Sequence, residues 1–325
     1  MVPASSRVPH DPPALARLAR TSARARCLAG GARVTSIPKA ATLTPEEIAR
    51  RSKSNFLASF LFLGRERRRG LSAVYAFCRA VDDAADEPRD KTEAREQLDF
   101  WRRELDRVVD GTPETSTGLA VQAAVRRFGV APRHLRDVLD GVAMDVEPRS
   151  YATLADLDGY CLKVASAVGL ACLPVFGASG PDAEAYALEL GLALQLTNIL
   201  RDLASDAREG RIYVPVDVMR RHAVDPEWLR GDGPPDSYAD RGPVDRLVAE
   251  LAEVATRRFA RALELRPSGQ RRALLPAEIM AVVYEELLTQ VIARRGRLDR
   301  PGRLRVTRRR KIWLLLRTWC LGGRR

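Results

Sequence analysis

Residues 75–87 read YAFCRAVDDAADE, with Asp82 and Asp86 four positions apart. On a helix that spacing stacks two carboxylates one turn apart on one face, and without a cation between them they repel. Upstream on the same face stand Arg79 and Tyr75. Taken alone, the stretch fits a solvated helix end as well as half of a cation site. Its partner lies at residues 195–213, QLTNILRDLASDAREGRIY, where Asp202 and Asp206 repeat the spacing and Asn198 and Gln195 stand four and seven residues before Asp202.

Polar residues in a segment backed by LGLALQL must find partners if they are buried. Two helices that each present a polar stripe ending in paired carboxylates would, face to face, form an oxygen-rich pocket. Hard divalent cations bound together with substrate phosphates suit such a pocket, and Mg²⁺ is the natural candidate. Arg79, Arg201 and Arg211 would then hold phosphate oxygens, which carboxylates cannot do.

The remaining text agrees with a helical reading. Thr44, Pro45, Glu46 and Glu47 make a helix start. Further helices are predicted near 68–86, 91–109, 116–128, 132–145, 153–177, 182–206, 243–265 and 276–295, with Gly- and Pro-containing breaks between several of them. Alternating strand patterns are nearly absent, RIYVPVDV at 211–218 being the one brief candidate. The fold class is therefore all-α, with the main domain at 43–300, a basic leader at 1–42 and a basic, apolar tail at 301–325.

The chain has 325 residues and a net charge of +12, but the charge sits at its ends. Residues 1–40 carry +6 and residues 294–325 carry +12, so the middle is at −6. An acidic body argues against a nucleic-acid groove, whereas basic ends suit an anionic membrane surface. RRRKIWLLLRTWCLGGRR at 308–325 sets a basic run beside a Trp-containing apolar stretch too short to span a bilayer. It fits peripheral membrane contact or a last helix packed on the core. No run reaches transmembrane length. Residues 1–42 fit a disordered leader or a transit-like segment. Five cysteines without a C-x-x-C pair fit reduced thiols in a cytosolic protein.

The two acidic segments, together with SNFLASFLFL, LDGVAMDV, YATLADLDGYCLKVASAVGLACLPVFG and RKIWLLLRTW, resemble the squalene/phytoene synthase family from about Ser52 to Trp319. The resemblance implies an isoprenoid-synthase helical bundle with a central cavity and head-to-head condensation of two prenyl diphosphates with Mg²⁺. By matching position, Asp82, Asp86, Asn198, Asp202 and Asp206 would hold the metal, with Asp83 as a secondary candidate. Gln195, Arg201, Arg211 and Tyr284 would contact substrate, as would Ser52 and Ser54 around Lys53. Tyr75, Arg79, Tyr160 and Tyr213 would stand with the aspartates near the reacting groups. Tyr160 and Tyr284 fit core tyrosines equally well, and Asp140 and Asp145 fit helix-end or packing roles. One departure is Ser205, where the family's second motif carries Glu.

Details such as SFLFL and VFG resemble the bacterial branch that joins two farnesyl diphosphates and stops at presqualene diphosphate, in squalene and hopanoid biosynthesis. Geranylgeranyl diphosphate with phytoene as product is the alternative, and a non-catalytic basic protein that binds membrane or nucleic acid is the reading from another class. The resemblance further implies a cytoplasmic enzyme at the inner membrane face, beside downstream isoprenoid enzymes.

Overall fold

A computed structural model describes residues 38–51, 63–147, 149–294, 296–297 and 304–321. Among them the chain is all-α, and no strand occurs. The helices are α1 (Pro45–Arg51), α2 (Arg65–Asp86), α3 (Lys91–Asp110), α4 (Ser116–Phe128), α5 (Pro132–Val146), α6 (Leu154–Cys161), α7 (Ala167–Phe176), α8 (Pro181–Arg208), α9 (Val216–Arg221), α10 (Pro243–Leu265), α11 (Arg271–Arg294) and α12 (Arg308–Leu321). Ser52, Lys53 and Ser54 lie outside the described residues, as does most of the leader.

Local chemistry sets many of the boundaries. Asp90 starts α3 by accepting from the Thr92 and Glu93 amides, at 2.9 Å each. Thr153 and Asp156 form a reciprocal capping box at α6. Prolines occupy the first turn of α5, α8 and α10, where a missing N–H costs nothing. Between α6 and α7, residues Leu162–Ser166 form a π-helical turn. The turn is closely packed on both sides. A Cβ on Gly141 would lie 2.7 Å from Val164, and one on Gly191 would run into the Ser166 backbone.

Two groups of helices stand on either side of this turn. Helix α2 packs on α3, α4, α5 and α7, while α8 packs on α10, α11, α7 and the π turn. Trp101, Phe77, Leu71 and Leu139 anchor the first group, each almost wholly buried. Burial at this level stabilises by roughly 1.5–3 kcal/mol per large side chain. Arg258 ties the second group together, pairing with Glu189 at 3.0 Å and Asp158 at 2.5 Å.

Two expectations change here. Residues 211–215 run extended, but as a loop and not a strand, and α9 begins at Val216. Val216 N and Asp217 N donate to the Tyr151 and Ala152 carbonyls, at 2.8 and 3.1 Å, so the segment is pinned without a ladder. The helical run Leu154–Phe176, 23 residues, is long and apolar enough by composition to cross a membrane, contrary to the sequence reading. Most of it is buried against α5, α8 and their neighbours.

Candidate active site

The first acidic pair projects from the C-terminal turns of α2, a helix whose residues 70–82 are all buried. Asp82 is 5% exposed, and its Oδ2 is buried without a hydrogen-bond partner. Burial pushes its pKa well up, Arg79 opposes that, and Asp86, Asp83 and Asp145 reinforce it. Arg79 is itself buried and forms an ion pair with Asp83. Burial and the neighbouring acids hold Asp83 up to about 7 against that pairing. Tyr75, one turn before Arg79, is buried on the same helix.

The second pair lies on the C-terminal half of α8. Asp202 and Asp206 are 2% and 1% exposed, and Gln195 and Asn198 are equally buried. Asn198 Nδ2 donates to Gln195 Oε1 at 3.2 Å, while Asn198 Oδ1 is buried without a partner. Arg201 grips Asp202 with two nitrogens, Nε at 3.0 Å. Burial disfavours the Arg201 charge, but Asp202, Tyr284 and Asp206 outweigh it and hold the guanidinium firmly protonated. Tyr284 on α11 is fully buried and faces Asn198 and Arg201, so its hydroxyl end borders the second acidic wall. Ser205 turns away and donates to the Asp202 carbonyl at 2.8 Å.

The turn after α8 joins the two walls. Gly210 adopts φ 82°, a left-handed backbone that suits glycine, and Arg211 N then donates to the Asp206 carbonyl at 2.8 Å. This turn sends the Arg211 side chain across to α2, where Nη1 meets Asp86 Oδ1 at 3.1 Å. Asp145 and Asp206 also face that guanidinium. Among the described residues no three carboxylate, Cys or His side chains close on one point, and Arg211 and Arg201 carry the positive charge between the acids.

Asp145 is the residue that sequence reasoning set aside. It ends α5, accepts from Tyr160 Oη at 2.9 Å and from Tyr213 Oη at 2.8 Å, and faces Arg211 and Asp86. Burial raises its pKa to about 6 in spite of Arg211 and both hydroxyls. The rings of Tyr160 and Tyr213 stack with centroids 5.1 Å apart, and Tyr151 lies against both. Burial pushes the phenols of Tyr160 and Tyr213 well up, next to Asp145, so both stay neutral donors. Tyr160 thus belongs to the site. The sequence signal was thin: Asp145 is a single acid whose partners lie 15 and 68 residues away.

Behind Tyr284 runs a narrow apolar slot of about 60 Å³ between α7, α8 and α11, bordered by Cys172, Phe176, Tyr186, Leu194 and Met280.

The bundle thus brings two buried acidic helix faces together over arginines and tyrosines, with an apolar slot behind them. The squalene/phytoene synthase family model matches residues 49–310, and the chain belongs to that family. It is 34% identical over 258 residues to the presqualene diphosphate synthase of Rhodopseudomonas palustris, covering 77% of this chain and 89% of that one. It is 35% identical over 263 residues to the phytoene synthase of Mycobacterium tuberculosis, covering 80% and 84%. Among solved structures, a dehydrosqualene synthase in complex with ligand superposes with a TM-score of 0.74 at 27% identity, covering 85% of this chain and 94% of that one. A squalene synthase from Alicyclobacillus acidocaldarius gives 0.67 at 26% identity, covering 78% and 92%.

Proposed function

We propose that the protein condenses two farnesyl diphosphates head to head to presqualene diphosphate, releasing one diphosphate and one proton. The observation that carries the reading is the Arg211 bridge between Asp86 and the Asp206 turn, which joins both acidic walls in one site. The donor set fits Mg²⁺: it is all oxygen, and buried carboxylate and amide oxygens at Asp82, Asp86 and Asn198 lack partners. Asp82 and Asp86 on one wall, with Asn198, Asp202 and Asp206 on the other, would hold the metal. Bound there, Mg²⁺ neutralises diphosphate and makes it a better leaving group.

The chain's own residues supply the rest. Arg79, Arg201 and Arg211 exchange their carboxylate partners for phosphate oxygens as substrate enters. Departure of the first diphosphate leaves an allylic cation at its C1. Apolar walls and neutral tyrosines keep water from that carbon. The second chain's double bond attacks it, and loss of a proton closes a cyclopropane while the second diphosphate stays attached. Tyr160 and Tyr213, fixed by Asp145, present hydroxyls near the leaving group, and Gln195 and Tyr284 orient the second wall.

The presqualene diphosphate synthase relative supports the farnesyl chain. A second reading, two geranylgeranyl diphosphates to phytoene, is supported by the equally similar phytoene synthase relative. Supplying each substrate with Mg²⁺ and identifying products by mass separates the two: presqualene diphosphate from farnesyl diphosphate is expected, and phytoene from geranylgeranyl diphosphate alone would overturn the farnesyl reading.

Contact with the inner membrane face belongs to the same proposal. Helix α12 turns Ile312, Trp313, Leu316 and Trp319 outward, 46–59% exposed, beside Arg308, Arg309 and Arg317. Tryptophan with arginine suits an anionic bilayer surface, where the hydrocarbon chains of the product would also partition.

A further inference from the structure

Helix α12 roofs a second cavity, larger than the slot behind Tyr284. It encloses about 510 Å³ between α8, α10, α11 and α12, within the size range of ligand sites. Its apolar wall is formed by Leu190, Phe259, Ala262, Ala281, Val282 and Leu314. Of the charged side chains in the lining, Arg266 pairs with Glu278 at 2.8 Å and Arg310 with Glu286 at 2.9 Å, and Arg317 lies over the Trp313 ring, while Glu285 and Arg271, whose Nε is buried without a hydrogen-bond partner, also border the space. The apolar wall is the part suited to a hydrocarbon chain.

The two cavities share a partition. Tyr186 and Leu190 line both, so the space behind Tyr284 and the groove under α12 are separated by these two side chains. Tyr284, at the inner end, lines the slot and faces Asn198 and Arg201 of the acidic site. The outer end opens beside Leu263, which is 59% exposed, under the helix that carries the outward tryptophans. Acidic site, inner slot, Tyr186–Leu190 and outer groove therefore adjoin in that order.

We propose that the groove beneath α12 is a second hydrocarbon-binding site for an isoprenoid chain, with Tyr186 and Leu190 as its gate to the inner slot. The assignment of the chain as isoprenoid rests on the proposed function. The site takes the uncharged part of a prenyl chain or of the product, and needs no diphosphate contact.

The test uses the full chain and a diazirine-bearing C15 prenyl alcohol, which has no diphosphate to anchor it in the acidic site. After irradiation, labelled peptides are mapped by mass. The proposal expects label on α11 and α12 around Ala281, Val282 and Leu314. That label should be lost in Ala281→Trp, which fills the groove, and in Leu263→Trp, which narrows its mouth from an exposed position and tolerates the larger ring. Label on Cys172 or Met280 in the inner slot should persist in both variants. Label confined to the inner slot, or groove label unchanged in both variants, would overturn the proposal. Condensation is assayed separately: its failure with both diphosphates refutes the proposed function, whereas absence of groove label in the unsubstituted chain, with condensation intact, refutes only this site.

Discussion

Asp145 shows how a single side chain ties the site together. With a pKa raised to about 6 against an ordinary value near 3.8, it takes up a proton on folding between those pH values. Its contribution to stability is greatest in acid and declines as pH rises through 6, at no more than about 1.4 kcal/mol per pH unit. Asp145→Asn keeps an acceptor for one of the two tyrosine hydroxyls, turns an amide N–H toward the other, and cannot titrate. Its melting temperature should gain on the wild type as pH rises from 4 to 7; parallel curves would show that Asp145 does not carry the shift. At the paired acids, Asp82→Ala and Asp202→Ala should each lower turnover by about 100-fold or more while the far-ultraviolet circular dichroism stays helical. The four paired aspartates, Asn198 and Arg79 were legible because helical spacing stacks them on one face. Asp145 was not, because its partners reach it only through tertiary packing. Arg211 was legible as a phosphate contact, but its bridging position depends on the Gly210 turn, which periodicity does not encode.

At the scale of elements, the π turn at Leu162–Ser166 is the joint on which α5, α8 and Tyr160 are set. Gly191→Ala drives a methyl into the Ser166 backbone and should destabilise by roughly 1–3 kcal/mol in denaturant titration. Gly159→Ala, in α6 with open space around the added Cβ, should instead gain about 0.5–1 kcal/mol. Equal effects of the two would contradict the close crossing. Caps and glycine or proline breaks made most helices readable, and α3 and α4 fall within a residue of the expected bounds. The π turn was not readable, since LKVAS carries no residue that forbids an ordinary helix. The segment 211–218 misled because Ile212, Val214, Val216 and Val218 recur at every second position as in a strand, whereas the pairing it makes is limited to two hydrogen bonds with residues 151–152.

Across the whole molecule, the charge pattern separates two surfaces. The acidic middle houses the two-walled site, and the basic C-terminal region presents α12. Trp313→Ser with Trp319→Ser should reduce flotation with anionic liposomes, more so at high salt, while leaving the fold unchanged; undiminished flotation would remove α12 as the contact. The all-α class and the pairing of distant segments were legible from residues alone, and family membership from the resemblance. The cavities were not, because their walls come from four helices whose register only packing defines. The central claim is that the two acidic faces form one site. Calorimetric titration of Mg²⁺ with a non-hydrolysable farnesyl thiodiphosphate tests it directly, using Asp82→Ala and Asp202→Ala separately. Each substitution alone should weaken the joint binding of metal and analogue by at least about tenfold. Wild-type binding in either variant would mean that the walls act apart, and would contradict the account.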